Sequence, residues 1–204
     1  MKQQKLFDSQ YFPCVNWFKN SISESNIVLN GSERFKKRSF YNRCGLVGSN
    51  GLIFLSVPLE GGRNRNQKEL FRNVKISYAE SWRKIHFRTI ESCYANSPFY
   101  AFYRDDLAKL FEKRFTYLYD LNLEIIRIIL SYLHKNELVV EITDDYNDMG
   151  PGIGYYPDTY ETVEPSPRYT QLFEDKVGFK PNVSILDLLF MEGNNSSNIL
   201  KSTT

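Results

Sequence analysis

The stretch that ends at Leu29 limits the fold more than any other part of the chain. Lys5, Leu6 and Phe7 read as a short strand that runs into Tyr11, Phe12 and Pro13. A proline has no N–H to give a sheet, but its fixed φ suits the first turn of a helix. Val15, Phe18 and Ile22 then recur at helical spacing, and 26–29 reads as a second strand. Strand, loop, helix, strand is a βαβ unit, which joins two parallel strands. It predicts an α/β fold: a mixed β-sheet beginning with that unit and flanked by several helices. Ligands of such folds gather beyond the carboxyl ends of the strands, which here is the loop holding Tyr11 and Pro13. No glycine-rich phosphate loop lies there, so no dinucleotide, and no other cofactor, is expected.

Downstream, 40–47 and 52–59 flank Gly48-Ser49-Asn50-Gly51 and predict a hairpin. A polar loop at 61–66 leads to a further strand over 74–77. Ser81 is placed to cap a helix carrying Trp82, Ile85, Thr89, Ile90 and Cys93 on one stripe, with Pro98 beyond it. Asp105 or Asp106 can cap the next helix, and Asp120 a third whose apolar face includes Leu121, Ile125, Ile129 and Leu133. An acidic, proline-bearing stretch over about 144–168 reads as a long irregular excursion. A helix over 169–176 stopped by Gly178, a helix over 185–190 capped by Ser184, and a frayed tail from about Gly193 complete the reading. At 204 residues the chain suits one domain, 1–204, with no linker and no internal repeat.

Several function classes fall away. No apolar run follows Met1, so no secretory signal is expected, and no window approaches the about 20 apolar residues of a membrane span. Cys14, Cys44 and Cys93 are odd in number and widely spaced, which suits reduced thiols in the cytoplasm. No CxxC pair, HExxH or histidine cluster offers a metal site. The net charge of +2 hides an asymmetry: 31–88 is rich in Lys and Arg, whereas 137–167 carries only acidic charges. Two explanations stand together. The acidic stretch can fold over the basic one, or the basic half can hold a small anionic metabolite such as a nucleotide sugar. Nucleic acid is not expected, because the balance is nearly neutral and no recognition motif is present.

Four blocks in order resemble the WbqC-like family. They are Tyr11-Phe12-Pro13 through Trp17-Phe18; Phe40-Tyr41-Asn42-Arg43-Cys44; Trp82-Arg83-Lys84-Ile85-His86 with Tyr94 and Pro98 downstream; and Pro181 through Phe190, which contains Ser184-Ile185-Leu186-Asp187. Asp8-Ser9 stands where many relatives have Gln-Pro, and Asn30-Gly31 where others carry an acidic pair. The segment after His134 is short, as in the form seen in Bacteroidetes-type bacteria. The resemblance implies a role in surface-polysaccharide (O-antigen-like) biosynthesis: transfer of an acyl or aminoacyl group, of the glycine type, to an amino-sugar nucleotide.

Within these blocks His86 is the candidate catalytic residue. A histidine, with its ordinary pKa of about 6.5, suits general-base work near neutrality, but it can equally be a hydrogen-bonded core residue. Asn42 and Arg43 alternate across a strand, and Arg43 offers a planar fork for phosphate or carboxylate. Tyr11, Pro13 and Tyr94 are candidate pocket residues. Ser184 and Asp187 have the spacing of a capping box, and they form a Ser-His-Asp triad only if they converge on His86. The competing reading is a non-catalytic binding module for an anionic metabolite or a protein partner. The oligomeric state is not set by the sequence.

Overall fold

The computed structural model describes residues 5–37, 39–61, 69–143 and 165–202. The βαβ start is present as β1 (Leu6–Phe7), α1 (Val15–Ser21) and β2 (Ile27–Asn30). Leu6 pairs with Val28 and Phe7 with Leu29, in parallel. Ile27, Val28 and Leu29 are buried, as a run of apolar residues in the middle of a parallel sheet should be. Its other neighbour is β5 (Val140–Thr143), also parallel, so the sheet order is β1-β2-β5. The β-branched run Val139-Val140-Glu141-Ile142-Thr143 carried a strand signal that the acidic residues after it obscured.

The hairpin forms, with shorter strands than the expected 40–47 and 52–59, so Asn42 precedes its first strand and only Arg43 belongs to it. β3 (Arg43–Gly48) and β4 (Gly51–Ser56) pair antiparallel from Arg43↔Ser56 to Gly48↔Gly51. Gly51 closes the turn at φ 111°, a conformation side-chain-bearing residues rarely adopt. Three longer helices follow: α2 (Trp82–Tyr94), α3 (Tyr100–Glu112) and α4 (Leu118–Tyr132). α2 buries Trp82, His86, Ile90, Cys93 and Tyr94, one stripe at helical spacing. The chain ends in α5 (Glu174–Val177), α6 (Ile185–Glu192) and α7 (Ser196–Lys201). Most of the buried apolar residues form one cluster, which includes Phe7, Ile27 and Leu29 but not Leu6 and Val28 on the opposite face of the sheet.

Five expected features differ, most of them where a tertiary contact outweighs a local signal. α3 starts after Phe99, whose N–H donates to the Phe190 carbonyl, so Asp105 and Asp106 lie inside the helix and do not cap it. α4 starts at Leu118, whose N–H donates to the Val74 carbonyl; Asp120 lies in its first turn. The 74–77 segment makes only the isolated bridges Lys75↔Tyr117 and Leu59↔Ile76. Only Glu174–Val177 of the 169–176 stretch is helical, and Gly178 ends it at φ 70°. The expected fraying from Gly193 is replaced by α7, anchored by fully buried Leu200 and by bonds from Ser196 Oγ to the Leu188 carbonyl and Ser197 Oγ to the Leu133 carbonyl. Most of the expected excursion, 144–164, lies outside the described residues.

One seam positions the site. The Val15 N–H donates to the Val183 carbonyl, the Ile185 N–H to the Pro13 carbonyl and the Ser184 N–H to the Gly45 carbonyl. The turn after β1, the hairpin and the start of α6 are thereby fixed to one another.

Candidate functional site

Phe12 has φ 43°, an uncommon backbone state for an aromatic residue. The surrounding structure holds it there: Ser184 Oγ donates to the Phe12 carbonyl at 3.1 Å, and the Tyr11 N–H donates to the Phe40 carbonyl at 3.0 Å. Such outliers persist only where neighbours over-determine them, and they cluster at functional sites. The turn sets the Tyr11 hydroxyl 2.8 Å from His86 Nδ1.

Tyr11 is 1% and His86 4% exposed. Burial pushes the imidazole down to about 4, opposed by a hydrogen bond to the Ser56 backbone. In the neutral tautomer that carries its proton on Nε2, Nδ1 accepts from the Tyr11 hydroxyl. Burial also holds the Tyr11 phenol well above its ordinary value, keeping it protonated. Trp82 meets His86 edge-on with ring centroids 5.1 Å apart, and Tyr78 lies 6.0 Å from Trp82.

Arg43 is reached through the same hairpin, directly across from Ser56. Its guanidinium lies 3.9 Å over the Phe54 ring. Arg43 Nε and Trp82 Nε1 are buried with no hydrogen-bond partner among the described residues. Two spare donors in elements that touch one neutral histidine call for an explanation, because buried N–H groups are nearly always satisfied. Asn42 is committed locally: its Nδ2 donates to the Val57 carbonyl at 2.9 Å.

The remaining sequence candidates gather elsewhere. Asp187 is fully buried and accepts from Tyr94 Oη at 2.9 Å on Oδ1, and from Tyr169 Oη at 2.8 Å and Gln171 Nε2 at 2.9 Å on Oδ2. Burial raises its carboxyl to about 6, against the pull of those three donors. Tyr94 Oη also accepts the Val47 N–H. Ser184 does cap α6, accepting the Leu186 N–H at 3.4 Å. Asp187 does not complete a capping box, since its carboxylate is taken by other segments. The side chains of Ser184, His86 and Asp187 share no hydrogen bond with one another, and each is engaged as described, so the triad geometry is absent. Pro13 contributes its carbonyl to the seam.

The structure thus brings Tyr11 and His86 together, sets Arg43 on the Phe54 ring of the hairpin, and gathers Tyr94 and Asp187 into a second centre. Sequence reasoning passed over Trp82, although its spacing of four residues from both Tyr78 and His86 was a legible signal. It had no means of finding Ser56, Tyr169 or Gln171, whose roles depend on long-range packing.

Beside the Tyr11–His86 pair lies a cleft of about 490 Å³ between the start of α2 and the end of α3. Tyr78, Phe87 and Phe111 supply its aromatic walls. Two of those walls lead to the pair: Tyr78 through Trp82, and Phe111 through Phe12, with ring centroids 6.1 Å apart. Among the described residues no group of three or more His, Cys, Asp or Glu could hold a metal ion, and no helix is long and apolar enough to cross a membrane. Cys14, Cys44 and Cys93 are free and buried, and burial pushes each thiol up.

Comparison with known proteins gives one family and one relative. Residues 8–148 match the sequence model of the WbqC-like protein family. The chain is similar to the uncharacterized protein Rv1507c of Mycobacterium tuberculosis, 27% identical over 230 aligned positions that cover 98% of each chain. No solved structure matches it.

Proposed function

The chain belongs to the WbqC-like protein family, and on that premise we propose that it is a cytoplasmic transferase of surface-polysaccharide assembly. It passes an acyl or aminoacyl group, of the glycine type, to the amine of an amino-sugar nucleotide. The observation that carries this reading is the 2.8 Å bond between the Tyr11 hydroxyl and His86 Nδ1. A neutral imidazole aligned on a phenol can remove a proton through that phenol.

In the step, the amine nitrogen attacks the carbonyl carbon of the activated donor. The new C–N bond forms, and the bond to the leaving group breaks with its electron pair. The ammonium proton passes to Tyr11 Oη as the phenolic proton passes to His86 Nδ1. The imidazolium then returns a proton, by the same route, to the departing group. No phenolate forms, which suits a phenol that burial keeps protonated. Arg43 Nε supplies a spare donor for an anionic part of the substrate. Since both rings are nearly closed off, turnover includes opening of the aromatic layer over them.

The test incubates the full chain with uridine-diphosphate amino sugars and glycyl or acetyl thioesters and follows the amide product by mass spectrometry. His86→Ala lowers turnover by about 10²–10⁴ with an unchanged circular dichroism spectrum. The base must be neutral to act, so kcat/KM falls on acidification with an apparent pKa of about 4, where burial places His86. Unchanged turnover in His86→Ala removes the residue from the chemistry. The second reading, a binding module for an anionic metabolite or a protein partner, draws on the 4% exposure of His86. It predicts ligand binding without product in the wild-type chain.

A further inference from the structure

We propose that the cleft between α2 and α3 is a binding site for a nucleoside diphosphate, with its phosphates on Lys84 and Arg114. The proposal rests on the transferase reading only for the fate of the ligand; binding itself is independent of turnover.

The cleft volume of about 490 Å³ is in the range of small-molecule sites. Its walls carry three kinds of group, and each has a counterpart on such a ligand. The first kind is cationic. Arg114 and Lys84 line the cleft, and neither has a carboxylate partner among the described residues. The Arg114 guanidinium lies 4.8 Å over the Tyr78 ring, which orients it without neutralising it. A planar fork and a point charge across one cleft suit two phosphates.

The second kind is aromatic. Tyr78, Phe87 and Phe111 offer ring faces or edges to a base or sugar ring. The third is carboxylate. Glu80 and Glu112 line the cleft without an ion pair among the described residues, and they can accept from ribose or sugar hydroxyls. A site for a bare anion has no use for these two groups. A site for a phosphorylated, hydroxyl-bearing ligand does.

The frame around these groups is rigid. Tyr78 Oη donates to the Phe115 carbonyl and accepts the Phe115 N–H, both at 3.0 Å. One Arg83 nitrogen, Nη1, donates to the carbonyls of Phe111, Glu112 and Lys113 at 3.0, 2.9 and 3.0 Å, tying the end of α3 to the start of α2. Arg83 is therefore a strut. At the cleft's edge Ser81 leaves its hydroxyl unbonded to the first turn of α2, a place where helix N–H groups favour negative charge. The cleft is also well placed: the Trp82 ring separates Tyr78 at its wall from His86 behind.

The experiment is calorimetric titration of the full chain with uridine diphosphate and adenosine diphosphate, with inorganic pyrophosphate as the fragment lacking a base. Tryptophan fluorescence gives a second readout, because Trp82 adjoins the cleft. The expected result is saturable binding of a nucleoside diphosphate, with pyrophosphate clearly weaker. Arg114→Gln and Lys84→Gln each weaken it on the order of tenfold, and Tyr78→Phe weakens it through the lost anchor on Phe115. Arg127→Gln, on α4 outside the cleft, leaves it unchanged. Failure of both diphosphates to bind, equal binding of pyrophosphate, or equal effects of Arg114→Gln and Arg127→Gln overturns the assignment. Binding retained in a turnover-dead His86→Ala chain supports both readings. Binding with no loss of turnover in His86→Ala leaves the cleft assigned and removes only the proposed base.

Discussion

The Asp187 carboxylate and the Tyr11–His86 pair are both sealed from solvent, yet their surroundings differ in kind. Asp187 has three donors on its two oxygens, drawn from α2 and from the 169–171 segment. Through Tyr94 the same network reaches the Val47 N–H of β3. Every member is used to hold segments together. The Tyr11–His86 pair is a single bond, and the Trp82 ring beside it leaves Nε1 with no partner among the described residues. A fully satisfied buried network makes a fold unique, and a partly satisfied one is expensive unless something else completes it. Burial alone therefore does not mark a site.

Three measurements would sharpen or break this contrast. The largest effect is expected from Asp187→Ala, which strands three buried donors at about 1–3 kcal/mol each. Denaturant unfolding should show a loss of at least about 3 kcal/mol; a loss under about 1 kcal/mol would mean the network is not structural.

The second is the pH dependence of stability. Asp187 sits at about 6, above its ordinary value. Between about 4 and 6 the folded chain holds a proton that the unfolded chain has released, so this stability is present in acid and lost as pH rises. His86 sits at about 4, below its ordinary value. Its contribution is present above about 6.5 and lost as pH falls through about 4. The two slopes oppose each other. Asp8 and Glu33, also raised by burial, still oppose His86 when Asp187 is replaced, so Asp187→Asn should tilt the stability profile toward a rise between about pH 4 and 6.5, read from unfolding midpoints. A profile as shallow as that of the wild type would contradict the assigned environments.

The smallest effect is expected from Tyr11→Phe, which leaves His86 Nδ1 without its donor at about 1–2 kcal/mol. A loss as large as that of Asp187→Ala would make the pair a structural centre like the other.

Much of the fold was legible because its signals are local. The spacing of Val15, Phe18 and Ile22, the Gly48–Gly51 turn and the Ser184 cap act within a few residues, and each is found where expected, whereas Pro13 precedes the helix and does not sit in its first turn. The expected caps at Asp105, Asp106 and Asp120 fail for a related reason. A backbone bond from a distant segment is stronger than a side-chain preference. The strand at Val140–Thr143 was hidden because its exposed acidic residue resembled the run that follows.

The candidate site divides in the same way. The residue types were visible: a histidine one helical turn beyond a tryptophan, an arginine in an aromatic strand, a tyrosine before a proline. Their partners were not. Ser184 and Asp187 lie three positions apart in one short motif, yet one holds the Phe12 turn and the other anchors Tyr94, Tyr169 and Gln171. The βαβ start, the hairpin, the family and the candidate side chains were all readable from the sequence. Periodicity, turn chemistry and residue identity are properties of neighbours in the chain. Tertiary packing alone settled that His86 is neutral and bonded to Tyr11, that Asp187 is saturated, and that the Trp82 ring stands between His86 and a charged aromatic cleft. Protonation and hydrogen-bond supply depend on which distant segments exclude water from a group, and no local spacing encodes that.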